Sequence, residues 1–355
     1  MNPRTNSAPA RLARAGAFRG FACHCDPAWP LHFVHSEGLR ELAALVLDWG
    51  CNVRPRQRPA VKEATLVPHA AQLRDGDIVH VKTDRLDAFV RVVLPTVRVR
   101  IVLVTGDSDA SAPGAHAALL DEPRIAHWFA QNWALTAAHP KLTRIPIGLD
   151  NPVYTKLDKR LGFLITMALG RSPLDWSCNK NDIGQQGMLA AIAATLPPTA
   201  ARPARALCTF HQSGKIVRLA LTPDRLAAWR VLRDRPHCYF VPHRLTQPQC
   251  WRLHGEFAFQ VSPPGNGLDC FRTWESLALG VIPIVKTSPL DALYRAEELP
   301  VVIVEDWDEI TRDNLERWQR EFQDAFDERL RHKLSLAYWA GQLRTAAALA
   351  RQEPA

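Results

Sequence analysis

No run of five lysines or arginines occurs in the 355 residues, although 44 Lys and Arg outnumber 36 Asp and Glu to give a net charge of +8. Counterion-release binding to nucleic acid draws on a concentrated basic stripe. Scattered positive charge points instead to an anionic small ligand. No stretch approaches the ~18 apolar residues of a membrane span. Residues 1–19 are rich in Arg and Ala and lack the apolar core of a secretion signal. A soluble cytoplasmic protein is expected, with a basic surface suited to peripheral contact with the inner face of a membrane. The Walker A pattern is absent, and no spacing fits G-x-G-x-x-G with a downstream acid. That weighs against a nicotinamide-dependent dehydrogenase. Of eight cysteines only Cys23 and Cys25 are close. Without a secretion signal, reduced thiols are expected. The only metal-like cluster is Cys23-His24-Cys25-Asp26 with His32 and His35 nearby. A C-x-C pair is a poor zinc signature, so no metal site is expected.

What is present is globular. Hydrophobic residues make up 47% and charged residues 23%, and 355 residues exceed a single ordinary core. The apolar spacing of Leu39, Leu42, Leu45 and Val46 predicts a helix from Glu37 to Trp49. Asp77–Thr83, Arg100–Asp109 and Lys141–Asp150 read as strands, the second mostly β-branched and ending in polar residues. Prolines 197, 198 and 203 mark the inter-domain linker. Beyond it, strands are expected at Ala206–Phe210, His237–Val241, Glu256–Pro263, Val281–Lys286 and Leu299–Val304, with helices at Pro223–Leu232 and Arg272–Leu279. Asp306–Leu349 reads as mostly helical. Strands alternating with helices in both halves predict two doubly wound α/β domains. The expected division is a flexible tail (1–18), a first domain with its linker (19–200), a second domain (201–325) and a C-terminal helix (326–355) that crosses back toward the first domain.

The segment richest in chemistry is Phe257–Thr311. A strand runs into Ser262-Pro-Pro-Gly-Asn-Gly267, and a helix follows. Gly265 and Gly267, flanking Asn266, let the backbone approach a ligand closely, and a helix N-terminus suits a phosphate. Arg272 sits in the first turn, where the dipole disfavours a cation, so an anionic partner is the natural compensation. Glu275, three residues on, suits the hydroxyls of a ribose. Taken singly, these fragments also fit an ordinary turn and a solvated Arg–Glu pair.

Over its whole length, "SPPGNGLDCFRTWESLALGVIPIV" resembles the signature of exostosin-like glycosyltransferases and their bacterial relatives. "LPVVIVEDWDEIT" is similar to the strand and helix start that follow it there, and "VTGDSDASAP", "WFAQN" and "IPIGLD" are similar to N-terminal segments of those enzymes. Ser276 stands where Ala is commoner. The resemblance is strong from Phe257 to Thr311, moderate from Val102 to Asp150 and weak elsewhere. It implies a GT-B fold, two Rossmann-like domains facing a cleft, with a nucleotide-sugar (a UDP-sugar foremost) held by the second. It also implies that Arg272 meets the donor phosphates, that Glu275 meets the ribose, and that Ser262, Gly265, Asn266 and Gly267 border the sugar-phosphate. Arg225 would be a second phosphate clamp or a surface residue. Lys286, ending the next strand, faces the same crevice by topology. Fixed cations would stabilise the leaving phosphate in place of a bound metal.

On the acceptor side, Asp107 and Asp109 follow a strand, where a carboxylate can deprotonate an acceptor hydroxyl. Asp-Ser-Asp also makes an Asx turn or helix cap at such a place. His80, Lys82, Asn132 and Asp150 end neighbouring elements, and Trp128–Trp133 reads as sugar-stacking or core aromatics. The expected activity is transfer of a sugar from a nucleotide-sugar to a glycan or other hydroxyl acceptor, in surface polysaccharide or glycoconjugate synthesis. The alternatives are a non-catalytic nucleotide- or glycan-binding protein on the same frame, or a dehydrogenase.

Overall fold

The computed structural model describes residues 13–14, 33–47, 66–149, 182–210, 222–242 and 245–352. Most of the 1–18 tail, the Cys23–Asp26 cluster, His32 and Asp150 lie outside the described residues. Two parallel sheets organise the chain. The first is ordered β1 to β6: Ala13–Arg14, Leu45–Leu47, Ile78–Lys82, Ile101–Gly106, Ile125–Ala130 and Leu142–Arg144. Its expected strand at Arg100–Asp109 is present as β4, fully buried along its length as β-branched runs in parallel sheets are.

Sequential order has a packing consequence. Right-handed crossovers that step the same way put their connections on one face of the sheet, as those from β2 to β6 do here. That face carries Leu47, Val81, Leu103 and Trp128, buried with Leu66 and Ala70, Leu86 to Val97 and Leu119 from the connections. The other face, with Val102, Val104 and Phe129, receives only the β1–β2 connection, through Val34 and Leu39, among the described connections between strands. It is covered by Leu336, Trp339, Leu343 and Ala347 of the last helix, Leu336–Gln352, together with Val34 and Leu39. The C-terminal helix crosses back because the first sheet has an uncovered apolar face to bury.

The second sheet is ordered β11-β10-β9-β7-β8: Val302–Val304, Ile282–Lys286, Phe259–Val261, Ala206–Cys208 and Cys238–Phe240. In chain order this is 2-1-3-4-5, a doubly wound sheet whose strand order reverses between β7 and β9. Helices Pro223–Leu232 (α4) and Arg312–Phe322 (α8) cover one face through Ala228, Leu232, Leu315 and Trp318. Gln247–His254 (α5) and Phe271–Ala278 (α6) cover the other through Trp251, Trp274 and Leu277. A single apolar cluster runs from this second face into the lower face of the first sheet, so the two α/β domains are packed on each other. Two apposed Rossmann-like domains with a returning C-terminal helix form the GT-B arrangement.

Three local expectations are corrected. The predicted helix Glu37–Trp49 is one helical turn, Ser36–Arg40 (α1), followed by strand β2. Leu45 fits the helical spacing with Leu39 and Leu42 and also period 2 with Leu47, and pairing with Val79–Val81 decides between them. Of the two readings of Trp128–Trp133, sugar-stacking gives way to core: Trp128 lies within β5, donates its indole N–H to Thr105 Oγ1 at 2.9 Å and meets buried Trp133 edge-on. The long C-terminal helix is broken into α8, Glu328–Lys333 (α9) and Leu336–Gln352 (α10). Asp327 starts a new helix by accepting from the Leu330 N–H at 3.0 Å. Helices Val67–Ala70 (α2), Asp182–Ala193 (α3) and Asp291–Ala296 (α7) complete the numbering.

Candidate functional site

Ligands of open α/β sheets bind beyond the carboxyl ends of the strands where strand order reverses. In the second sheet that place lies beyond β7 and β9, where β9 runs into Ser262-Pro263-Pro264-Gly265. Two arginines converge there from different helices. Arg272, in the first turn of α6, points its Nη1 at Pro263 O (3.3 Å) and Ser262 Oγ (3.4 Å). Arg225, in the first turn of α4, donates through Nε to Pro264 O at 3.0 Å. Thr222 caps α4 by accepting the Arg225 N–H, and Pro223 opens the helix, so the turn that presents Arg225 is fixed locally. Ser262 is buried, its Oγ 2.9 Å from Thr273 Oγ1.

The electrostatics of this crevice are one-sided. Burial, and after it the neighbouring Arg272 charge, lowers the pKa of Arg225. Among the described residues neither guanidinium forms an ion pair with a carboxylate. The nearby thiols cannot neutralise them: burial raises Cys270 and pushes Cys250 up to about 12. Burial, and then the Arg202 and Arg272 charges among others, lowers buried His254 to about 4. Among the described residues, two half-buried cations without a carboxylate ion pair are arranged so that an anionic ligand would offset their charge.

Gly265 belongs to this crevice: a Cβ there would lie 3.1 Å from Arg225 Nη2 and 3.3 Å from Cys270 Sγ. Gly267 has a different reason. A Cβ on it would lie 3.0 Å from Asn132 Nδ2 and 3.2 Å from Asp109 O. It is glycine because the first domain touches the loop here. Asn266 Nδ2 donates to Asp109 Oδ2 at 3.3 Å across the same contact. Glu275 lies one turn beyond Arg272 and accepts from Gln247 Nε2 at 3.0 Å.

The two carboxylates of the first domain separate. Asp109 is exposed and borders the loop of the second domain. Asp107 turns into a network of its own: Arg40 Nη1 lies 3.6 Å from its Oδ2, and Lys82 Nζ donates to its backbone carbonyl. Its backbone has φ +52°, and Asn132, ending β5, has φ +50°. Left-handed backbone is uncommon outside glycine and concentrates at sites where surrounding bonds impose it. Here Gln131 Oε1 accepts the Asp107 N–H at 2.9 Å, and Asn132 Nδ2 donates to Ser108 O at 2.9 Å. His80 is buried in β3. Lys286 ends β10, and its Nζ lies 3.6 Å from Asp306 Oδ1.

Asp269 is the residue sequence reasoning did not single out. It is 4% exposed and lies between the glycine loop and α6. Its Oδ2 accepts the Ile147 N–H (2.8 Å), its Oδ1 the Cys270 N–H (2.8 Å), and both accept from the Trp274 indole (2.9 Å). Its own N–H donates to Asn132 Oδ1 at 2.7 Å. Burial pushes its pKa up to about 6 against the pull of these donors. In the sequence it reads as a helix start, and its first-domain partners stand 122 and 137 positions away.

A cavity of about 580 Å³ lies at the other end of α6, among Leu196, Leu277–Gly280, Phe326, Leu330 and Leu334. It is mostly apolar and none of the site residues above lines it. Among the described residues no group of three His, Cys, Asp or Glu side chains is arranged to hold a metal ion. No helix of the described residues is long and apolar enough to cross a membrane.

No family model and no curated protein matches the chain. Among solved structures, an α,α-trehalose-phosphate synthase (UDP-forming) from Burkholderia vietnamiensis is similar at TM-score 0.41 and 13% identity, over 80% of this chain and 78% of that one. An E. coli trehalose-6-phosphate structure bound with UDP-2-fluoro glucose gives TM-score 0.39 and 12% identity, over 79% and 76%. A trehalose-6-phosphate synthase studied with bisubstrate glycomimetics gives 0.40 and 12%, over 80% and 77%. At these scores the likeness assigns neither substrate nor residues, and the fold is read from the strand order and packing above.

Proposed function

We propose that this protein is a glycosyltransferase that takes its sugar from a nucleotide-sugar donor held by the second domain. The observation that carries the reading is the pair Arg225 and Arg272, converging on the Ser262–Gly265 loop at the strand-order reversal with no carboxylate ion pair among the described residues. A nucleoside diphosphate supplies the missing negative charge. During transfer the bond from the anomeric carbon to the phosphate oxygen breaks and charge builds on the departing diphosphate. Fixed guanidiniums stabilise that charge more in the transition state than in the ground state. Glu275, one turn along the same helix, takes the ribose in this reading, as the exostosin-like signature implies. The exostosin-like signature supports a UDP-sugar donor, a glycan acceptor and metal-independent transfer. Of the two candidate bases, Asp109 borders the donor loop and Asp107 is engaged by Arg40 and Lys82, so Asp109 is the better placed for an acceptor hydroxyl.

The test is calorimetric titration with UDP, GDP, CMP and NAD, each against the wild type and Arg272→Ala. Tight binding of one nucleoside phosphate that Arg272→Ala weakens by roughly tenfold to a hundredfold is expected. Binding of NAD alone, or nucleotide binding indifferent to Arg272, defeats the reading. A non-catalytic nucleotide- or glycan-binding protein would bind identically, and donor turnover with an acceptor extract separates the two.

A further inference from the structure

We propose that Asp269 is a positioning residue that carries donor occupancy from the Arg225–Arg272 crevice to the acceptor-side loops; this rests on the donor site proposed above. Three N–H donors converge on its carboxylate, and each comes from a different place. Ile147 belongs to the loop after β6 of the first domain, Cys270 to the start of α6, and Trp274 to the body of α6. Its backbone N–H reaches Asn132 at the end of β5. Trp274 is 2% exposed and sits in the apolar cluster shared by the two domains. Arg272 and Trp274 are two residues apart on the same short helix. A ligand that draws Arg272 toward it therefore acts on the helix whose first turn Asp269 ties to the first domain.

The residue type fits this role. Both carboxylate oxygens accept only, and every partner is a donor. An asparagine would turn an NH2 group against the Ile147 or Trp274 N–H. Around the same contact, Gly267 allows the loop within van der Waals reach of Asp109 and Asn132, and Asn266 spans to Asp109. The donor loop and the acceptor-side loops thus share one buried bond set and one exposed one.

Amide hydrogen exchange reads the coupling directly, using UDP or whichever nucleoside phosphate the titration shows to bind. In the wild type, nucleotide is expected to slow exchange in residues 145–149 and at Asn132 on the order of tenfold. In Asp269→Asn, nucleotide affinity should stay within about threefold of wild type while that slowing disappears. Gly267→Ala perturbs the same contact without touching the buried carboxylate, so it keeps the test alive if Asp269→Asn does not fold. It should weaken the slowing with nucleotide affinity retained. With turnover established, both variants should lose kcat with donor KM held. Slowing that persists in both variants overturns the proposal. So does a loss of nucleotide affinity in step with a lower melting temperature, which would make Asp269 a fold residue only. A wild type that binds no nucleoside phosphate sinks the donor site first, and Arg272→Ala identifies that failure separately.

Discussion

The carboxyl ends of the two sheets handle charge in opposite ways. In the first, Asp107 and Asp84 sit with Arg40 and Lys82, two anions and two cations matched within the fold. In the second, Arg225 and Arg272 stand together against backbone carbonyls and neutral thiols. A self-neutralised cluster is complete without a ligand, whereas two like charges held at partial burial are complete only with one. The strand orders agree. The first sheet runs sequentially, and the second reverses beside the arginines.

The contrast breaks most visibly if both arginines are removed. A charge-assisted hydrogen bond contributes about 1.5–3 kcal/mol. Arg225→Ala with Arg272→Ala should therefore weaken nucleotide binding by two to four orders of magnitude, roughly additively. Without ligand the same variants should melt no lower than wild type, because each loses a repelling neighbour. A lower melting temperature with unchanged affinity would show that the arginines serve the fold. Lys82→Ala is the counterpart in the first sheet and should spare nucleotide affinity while lowering stability.

The returning helix separates the domains on stability instead. Trp339 is 1% exposed and lies on the α10 face that covers the first sheet. Truncating such a residue to Ala typically costs about 3–5 kcal/mol. Trp339→Ala should lower the urea midpoint steeply, and near-UV circular dichroism should show the loss in the first domain. A midpoint unchanged by this substitution would mean that the first sheet is covered by something other than α10.

Two buried groups near the crevice pull stability with pH in opposite directions. His254 has a folded pKa of about 4, below its ordinary 6.5. The unfolded chain then takes up a proton the folded one refuses, and stability is lost as pH falls from 6.5 toward 4. Asp269 has a folded pKa of about 6, above its ordinary 3.8. The folded chain takes up the proton first, so stability is gained as pH falls from 6 toward 4. Each pH unit of separation amounts to about 1.4 kcal/mol, so the two nearly cancel between pH 4 and 6. His254→Gln removes one side of the balance. Relative to wild type, its unfolding free energy should rise by on the order of 2–3 kcal/mol from pH 6.5 to pH 4. A pH-independent difference would remove His254 from the balance.

Much of this fold is legible in the sequence, and the failures have physical causes. Buried parallel strands announce themselves by β-branched runs, as at Ile78–Lys82, Ile101–Gly106 and Ile282–Lys286. Leu45–Leu47 is hidden because Leu45 and Val46 continue the spacing of Leu39 and Leu42, three residues are too few to show period 2, and only the partner strand decides. Arg272, Arg225 and the glycine loop come from one stretch of motif and a helix start, so sequence order and spatial order agree. Asp269 was hidden for the opposite reason: its chemistry is made by Ile147 and Asn132, far away along the chain. Gly267 was legible as a required glycine, but the neighbour that requires it is a protein domain.

The smallest expected effect falls on Lys286. Its position at the end of β10 places it, by topology alone, on the crevice side of the sheet. In the fold its ammonium lies 3.6 Å from Asp306 Oδ1, and Asp306 is largely exposed. Exposed pairs of this kind contribute about 0–1 kcal/mol. Two strands separate β10 from β8, and the order reverses between β9 and β7, so Lys286 stands on the outer side of β9 from the reversal. Lys286→Ala should change nucleotide affinity by less than about twofold and stability by less than about 1 kcal/mol. A tenfold loss of affinity would extend the anion site from β9 across β10, and the contrast between one paired and one unpaired cluster would then have to include a lysine that leaves Asp306 when the ligand arrives.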